Sequence, residues 1–172
     1  MTSDLIVLIA NIALALSFIV GLVFGIAQVR AAARDRRERL TLETLRNFQT
    51  REFAELMNYI STREMPAYRE EWRNLPVEEQ IIFTQFAQEM ESLGILVAEK
   101  LINIDLVDKT LGSLVTTSWE KSKPMILEMR ESVQDPFLCE FYQWLAERID
   151  ERMKNNPRKP FYKNTTPIDR KC

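Results

Sequence analysis

Residues Leu5 to Val29 read LIVLIANIALALSFIVGLVFGIAQV, and the organisation of the whole chain follows from this segment. It carries no charged side chain, and its polar side chains are those of Asn11, Ser17 and Gln28. As a helix with a rise of about 1.5 Å per residue, its roughly 25 residues extend about 37 Å. That length crosses a hydrocarbon core of about 30 Å with some tilt. The segment therefore predicts one transmembrane helix.

The segment has two other possible interpretations. A cleaved secretory signal has a cationic start, an apolar run of about 7–15 residues and a small-residue cleavage site. This chain starts Met-Thr-Ser-Asp and its apolar run is longer, although the alanines at 31–33 resemble a cleavage region. A buried core helix is the second alternative, but a chain of 172 residues has little other protein to surround so long an apolar rod. The membrane helix is favoured.

The residues next to the apolar segment predict its orientation. It is followed by RAAARDRRER, which holds five arginines against two acidic residues. Arginine-rich flanks remain cytoplasmic, so we expect residues 1–4 outside and the larger C-terminal part inside the cell. If the helix continues, Arg30, Arg34 and Arg37 share one face and are candidate contacts for anionic lipid headgroups. The simpler alternative is that they only mark the orientation.

Small side chains recur within the apolar segment. Ser17, Gly21 and Gly25 are spaced every four residues, and Gln28 lies near the same face. Such spacing lets two membrane helices approach closely, and a glutamine amide can form a hydrogen bond across the contact. A homo-oligomer formed through this face is one prediction. A single helix that contacts only lipid is the other.

Composition narrows the possible functions. The formal net charge is −2 with acids and bases interleaved, so no nucleic-acid partner is predicted. The chain has no histidine, which removes the commonest general base and the Glu-x-x-His metal motif. Cys139 and Cys172 are too far apart in sequence for a metal motif. The acidic residues fit solvated helix faces and caps. We therefore predict that the chain is not an enzyme and holds no cofactor or metal.

Four glycines among many helix-favouring residues predict an all-α protein, with one N-terminal transmembrane helix followed by a small cytoplasmic helical bundle. The predicted division is a transmembrane helix in 1–30, an arginine-rich juxtamembrane segment in 31–40, the bundle in 41–155 and a basic, proline-containing disordered tail in 156–172.

Local signals predict several helix ends in the first half of the bundle. Residues 40–60 keep an apolar helical period that includes Leu42, with a break near Asn47–Thr50. A short helix is expected within 66–74. Pro76 then opens a central helix with a wide apolar face.

The second half holds two further predicted boundaries. Asp105 is expected to cap a short helix, which Gly112 separates from the next one. An aspartate–proline pair at 135–136 is expected to start the last helix. Trp72 and Trp119 are candidate partner-binding side chains, although Trp119 also fits a structural anchor.

Three segments resemble a bacterial family catalogued as domain of unknown function 4760. They are NFQTREFAELMNYI (47–60), ESLGILVAEKLINIDLVDKTLGSLVTTSWEKSKPMI (91–126) and DPFLCEFYQWLAERI (135–149). The resemblance implies an N-terminal membrane helix joined to a compact helical domain at a bacterial inner membrane. It implies no reaction and no catalytic residue.

Two functions remain as hypotheses. The first is a single-pass, membrane-anchored interaction or scaffold protein, which binds an unidentified protein partner or itself beside membrane lipid. The second is an oligomeric membrane effector or channel-like protein, whose spans perturb the bilayer under control of the cytoplasmic domain.

Overall fold

The computed structural model of the protein describes residues 2–160 and residue 163. Every regular element within these residues is a helix, which confirms the all-α prediction. The six α-helices are α1 (Thr2–Asn47), α2 (Arg51–Thr62), α3 (Arg69–Asn74), α4 (Val77–Ala98), α5 (Ile104–Val133) and α6 (Glu140–Asn155).

Helix α1 unites the apolar segment and the arginine-rich segment in one uninterrupted rod. It ends at Asn47, and Thr50 caps the next helix by accepting a hydrogen bond from the amide of Phe53 at 3.2 Å. The predicted break is therefore confirmed. It was predictable because a threonine cap is a local signal that satisfies an otherwise unpaired amide of the first turn.

Helix α4 is central to the bundle, since it packs against both α2 and α6, and α6 packs in turn against α5. Gly94 allows α4 and α6 to approach each other closely. A Cβ atom added there would lie 2.3 Å from the backbone oxygen of Phe141 on α6. The largest fully buried side chains include Phe86, Met90, Leu93, Trp119, Tyr142, Leu145 and Ile149.

Helix α5 differs from its prediction, because it runs without a break past Gly112. Gly112 fills a packing role in the helix interior, where an added Cβ would lie 2.6 Å from the Asp108 carboxylate. The N-cap is Asn103, whose side-chain oxygen accepts from the amide of Asp105 at 2.8 Å. Burial of one α5 face in the core outweighs the roughly 1 kcal/mol propensity cost of an internal glycine.

Helix α6 begins at Glu140, four positions later than Pro136, which was predicted to be its first residue. The carboxylate of Asp135 instead accepts a hydrogen bond from the amide of Phe137 at 3.0 Å, which closes a turn. The true start is capped from another helix: the Glu91 carboxylate on α4 accepts from the amides of Phe141 at 3.2 Å and Tyr142 at 2.7 Å. A partner 50 residues away leaves no local sequence signal.

A lysine and a second glutamate also cap helix ends from a distance. Lys121 Nζ donates to the carbonyl oxygens of Ile60, Ser61 and Arg63 at the C-terminal end of α2, at 2.8 to 2.9 Å. The Glu128 carboxylate accepts from the amide of Arg69, at the start of α3. Charged side chains at helix ends of complementary polarity stabilise them, so these contacts tie the short α2 and α3 to α5.

Most of the predicted disordered tail, 156–172, lies outside the described residues. At its start, Arg158 Nη2 donates to the carbonyl oxygen of Asp108 at 3.0 Å, so this part of the tail contacts α5.

Candidate functional site

The apolar segment of α1 lies against no other part of the structure. The large apolar side chains from Leu5 to Val29 are between 45% and 73% exposed. No part of its most apolar window is buried, which excludes a core helix of the described chain. Within the described residues, α1 is the one helix that is long and apolar enough to cross a membrane.

The two glycines of this segment have no packing role inside the protein. A Cβ atom added at Gly21 or Gly25 meets no atom within 4 Å, whereas one added at Gly94 or Gly112 lies within 3 Å of a neighbour. Of the four glycines in the chain, two are thus explained by internal contacts and two are not. Gly21 and Gly25 line a shallow groove on the exposed helix, and Ser17 and Gln28 are exposed as well.

The three arginines predicted to face lipid have different surroundings. Arg34 Nε donates to the Glu38 carboxylate at 2.9 Å. Arg37 Nη2 donates to the carbonyl oxygen of Ile102 in the bundle at 3.2 Å. Arg30 lines the groove beside the glycines and forms no ion pair with the described residues. Arg30 therefore keeps its guanidinium open at the end of the apolar segment.

A buried threonine joins α1 to the bundle. Thr41 is 0% exposed, and its hydroxyl donates to the carbonyl oxygen of Arg37 at 2.7 Å and accepts from the amide of Asn103 at 2.9 Å. Leu42, which the sequence pattern placed in the apolar stripe, is 56% exposed. The apolar pattern therefore misplaces the buried position by one residue. Thr41 can be buried because its hydroxyl is hydrogen-bonded to Asn103, 62 residues away, and the local sequence does not show this partner.

Trp119 and Trp72 lie in unlike environments. Trp119 is 2% exposed and its ring packs edge-on against Tyr142 at 5.2 Å, so it is a core anchor and presents no surface to a partner. Trp72 is half-buried against Phe83 and lines an open groove on α4. The exposed Ile81 lines the same groove. A partner-binding role for Trp72 stays a prediction.

Asp108 is the one charged side chain that is buried among the described residues, and the sequence pattern had placed it on a solvated face. Its carboxylate lies 3.2 Å from Arg158 Nη2 and 4.0 Å from Arg152 Nε, and Arg152 also pairs with Asp105. A buried carboxylate needs such partners, because an unpaired one is costly. The cluster clamps α5, α6 and the following segment together. A glycine four positions after Asp108 is the sequence feature that could have indicated its burial.

Burial raises the pKa of two tyrosines and one cysteine in the bundle. Burial, together with the hydrogen bond that its hydroxyl donates to Glu79, raises the pKa of Tyr59 to about 12. Burial also raises the pKa of Tyr142, whose hydroxyl donates to Ser118 at 2.6 Å. Burial and the nearby Glu91 raise the pKa of the Cys139 thiol to about 11. None of these three groups ionises near neutral pH.

Comparison with known families identifies the chain. A family model described as domain of unknown function DUF4760 matches residues 15–149, from the apolar half of α1 through most of α6. No curated protein and no solved structure matches the chain. The matched region includes both exposed glycines, the junction at Thr41 and the bundle core. The chain belongs to the DUF4760 family.

Proposed function

We propose that this chain is a single-pass membrane protein, whose helical bundle is a non-catalytic interaction module at the cytoplasmic face of the bacterial inner membrane. One observation carries the proposal: the apolar segment of α1 is exposed along its whole length. Soluble monomers rarely expose a contiguous apolar patch larger than a few hundred Å². A helix satisfies its own backbone hydrogen bonds, so lipid can surround this one without leaving backbone polar groups unpaired.

The arginine-rich segment supports the proposed orientation. It follows the apolar segment on the same rod and leads directly into the bundle. Because arginine-rich flanks remain cytoplasmic, the bundle lies on the cytoplasmic side and the first residues on the opposite side. The bundle would then meet partners inside the cell, with the groove beside Trp72 as the candidate binding surface.

Membrane fractionation of the full chain tests the anchor. We expect the wild-type protein to sediment with membranes and to resist extraction by alkaline carbonate. The test variant, Leu14→Lys with Phe18→Lys, places two charges in the middle of the apolar segment. Each charge raises the free energy of membrane insertion by about 2.5–3.5 kcal/mol. The variant should shift to the soluble fraction while its bundle, which neither residue contacts, remains folded. Wild-type protein that stays in the supernatant without detergent would contradict the proposal.

A second candidate, a homo-oligomer formed through α1, is favoured by the unexplained Gly21 and Gly25. Small residues at this spacing permit close helix contact in membranes. We expect Gly21→Ile with Gly25→Ile to reduce crosslinking between copies in membranes. The control is Ala15→Ile with Ala27→Ile, whose positions lie about 100° and 140° around the helix from the midpoint of the two glycines. Equal crosslinking in both variants would remove this candidate. Growth arrest on overexpression that Gly21→Leu abolishes would instead favour a membrane effector.

A further inference from the structure

The connection between α4 and α5, residues 99–103, is attached to α1 close to the apolar segment. Arg37 donates to the carbonyl oxygen of Ile102, and Thr41 accepts from the amide of Asn103. Along α1, side chains before Leu40 remain exposed in the described part of the chain, so Arg37 marks the first attachment of the bundle. This connection is therefore the part of the bundle that meets α1 nearest to the apolar segment.

An exposed leucine is held at this connection. Leu101 is 48% exposed, while the adjacent Ile102 is 0% exposed and belongs to the core. The amides of both residues donate to the carbonyl oxygen of Leu96, at 3.0 and 3.2 Å. Lys100 adopts a left-handed conformation, with φ of 58°, which makes the turn. The hydrogen bonds and the buried Ile102 fix Leu101 on the outside.

Distances along α1 bring this leucine near the bilayer surface. From Val29 to Arg37 the helix rises about 12 Å. The headgroup layer on each side of a hydrocarbon core is about 5–8 Å thick. The apolar segment exceeds a core of about 30 Å by about 7 Å, and such an excess is accommodated by tilt. Tilt brings the side of the bundle toward which α1 leans closer to the headgroup layer.

We propose that the α4–α5 connection rests on the lipid surface, with Leu101 in the headgroup layer, so that the bundle touches the membrane at a second place beside α1. The inference rests on the proposed membrane span. Glu99 and Lys100 carry opposite charges, so the two residues before Leu101 add no net charge to the contact. It would select the direction in which α1 tilts.

Site-specific quenching in vesicles tests the contact. The full chain with Cys139→Ser and Cys172→Ser receives a single cysteine, Leu101→Cys, carries an NBD label and is reconstituted in phosphatidylcholine vesicles with headgroup-spin-labelled lipid. The matched control is Val133→Cys, which is 47% exposed at the other end of α5, about 44 Å along the helix. Because the quencher acts only at short range, we expect at least about threefold stronger quenching at position 101.

A third label separates this inference from the proposed anchor. Val20→Cys reports the span through lipid that is spin-labelled in its acyl chain. If position 20 is quenched but 101 and 133 are quenched equally, the second contact is overturned and the anchor stands. If position 20 is not quenched, both fail. A label at the exposed Glu99→Cys repeats the measurement in case the leucine variant does not fold, which its thermal unfolding curve would reveal.

Discussion

Replacing Trp119 with alanine is expected to lower the free energy of unfolding of the bundle by about 3–5 kcal/mol, the range for removal of a buried large aromatic side chain. The side chain is 2% exposed, and its ring packs edge-on against Tyr142. Removal leaves a cavity among residues of α5 and α6. Since domains of this size are stable by only about 5–15 kcal/mol, the variant loses at least about a fifth of its stability.

Chemical unfolding of the full chain in detergent micelles measures this loss. The matched control is Trp144→Ala, because Trp144 is half-buried on α6 with the Arg148 guanidinium 5.9 Å from its ring. We expect Trp144→Ala to lower the free energy of unfolding clearly less than Trp119→Ala does. Trp119→Phe should also lose less, because the Trp119 indole nitrogen has no hydrogen-bond partner to forfeit in the described structure. Equal losses for Trp119→Ala and Trp144→Ala would contradict the core assignment.

Gly94→Ala is expected to destabilise the bundle by about 3 kcal/mol, although it adds only one methyl group. The new Cβ would lie 2.3 Å from the backbone oxygen and 2.5 Å from the backbone carbon of Phe141. These are backbone atoms, so α6 must shift as a whole. Glu91 opposes that shift because it caps α6 from the same helix that carries Gly94. The gain in helix propensity, about 1 kcal/mol, does not compensate.

The same unfolding measurement distinguishes crowding from a general effect of glycine replacement. Gly25→Ala is the matched control in α1, where the added atom meets nothing within 4 Å. Ser92→Ala is the exposed control on α4 itself. Both should leave the stability of the bundle within about 0.5 kcal/mol of wild type. A Gly94→Ala protein as stable as these controls would show that α4 and α6 are not packed this closely.

The parts of the fold that the sequence predicted depend on neighbouring residues. The break before α2 follows from Thr50, whose hydroxyl accepts from the amide of Phe53 three residues later, and Pro76 directly precedes α4. The errors in α5 and α6 have non-local causes. The start of α6 depends on Glu91, some 50 residues earlier, and the glycine inside α5 is explained by its packing beside Asp108.

The features of the candidate site also differ in whether they could be predicted from neighbouring residues. The exposed apolar segment and its arginines are visible in the sequence because they are continuous. The attachment of α1 to the bundle is not, since it pairs Arg37 and Thr41 with a connection more than 60 residues away. From sequence alone, a threonine in a helix is predicted to be a surface residue. Its burial becomes predictable only when the distant amide that donates to its hydroxyl is known.

The unbroken course of α1 from Thr2 to Asn47 has a mechanical consequence. No break separates the half that carries the glycines from the half that enters the bundle, so a rotation of one half about the helix axis is passed on to the other. A turn of the apolar half by one residue step, about 100°, would swing the whole bundle through the same angle. A second membrane helix that binds only the apolar half of α1 would thus set the direction in which the groove beside Trp72 faces.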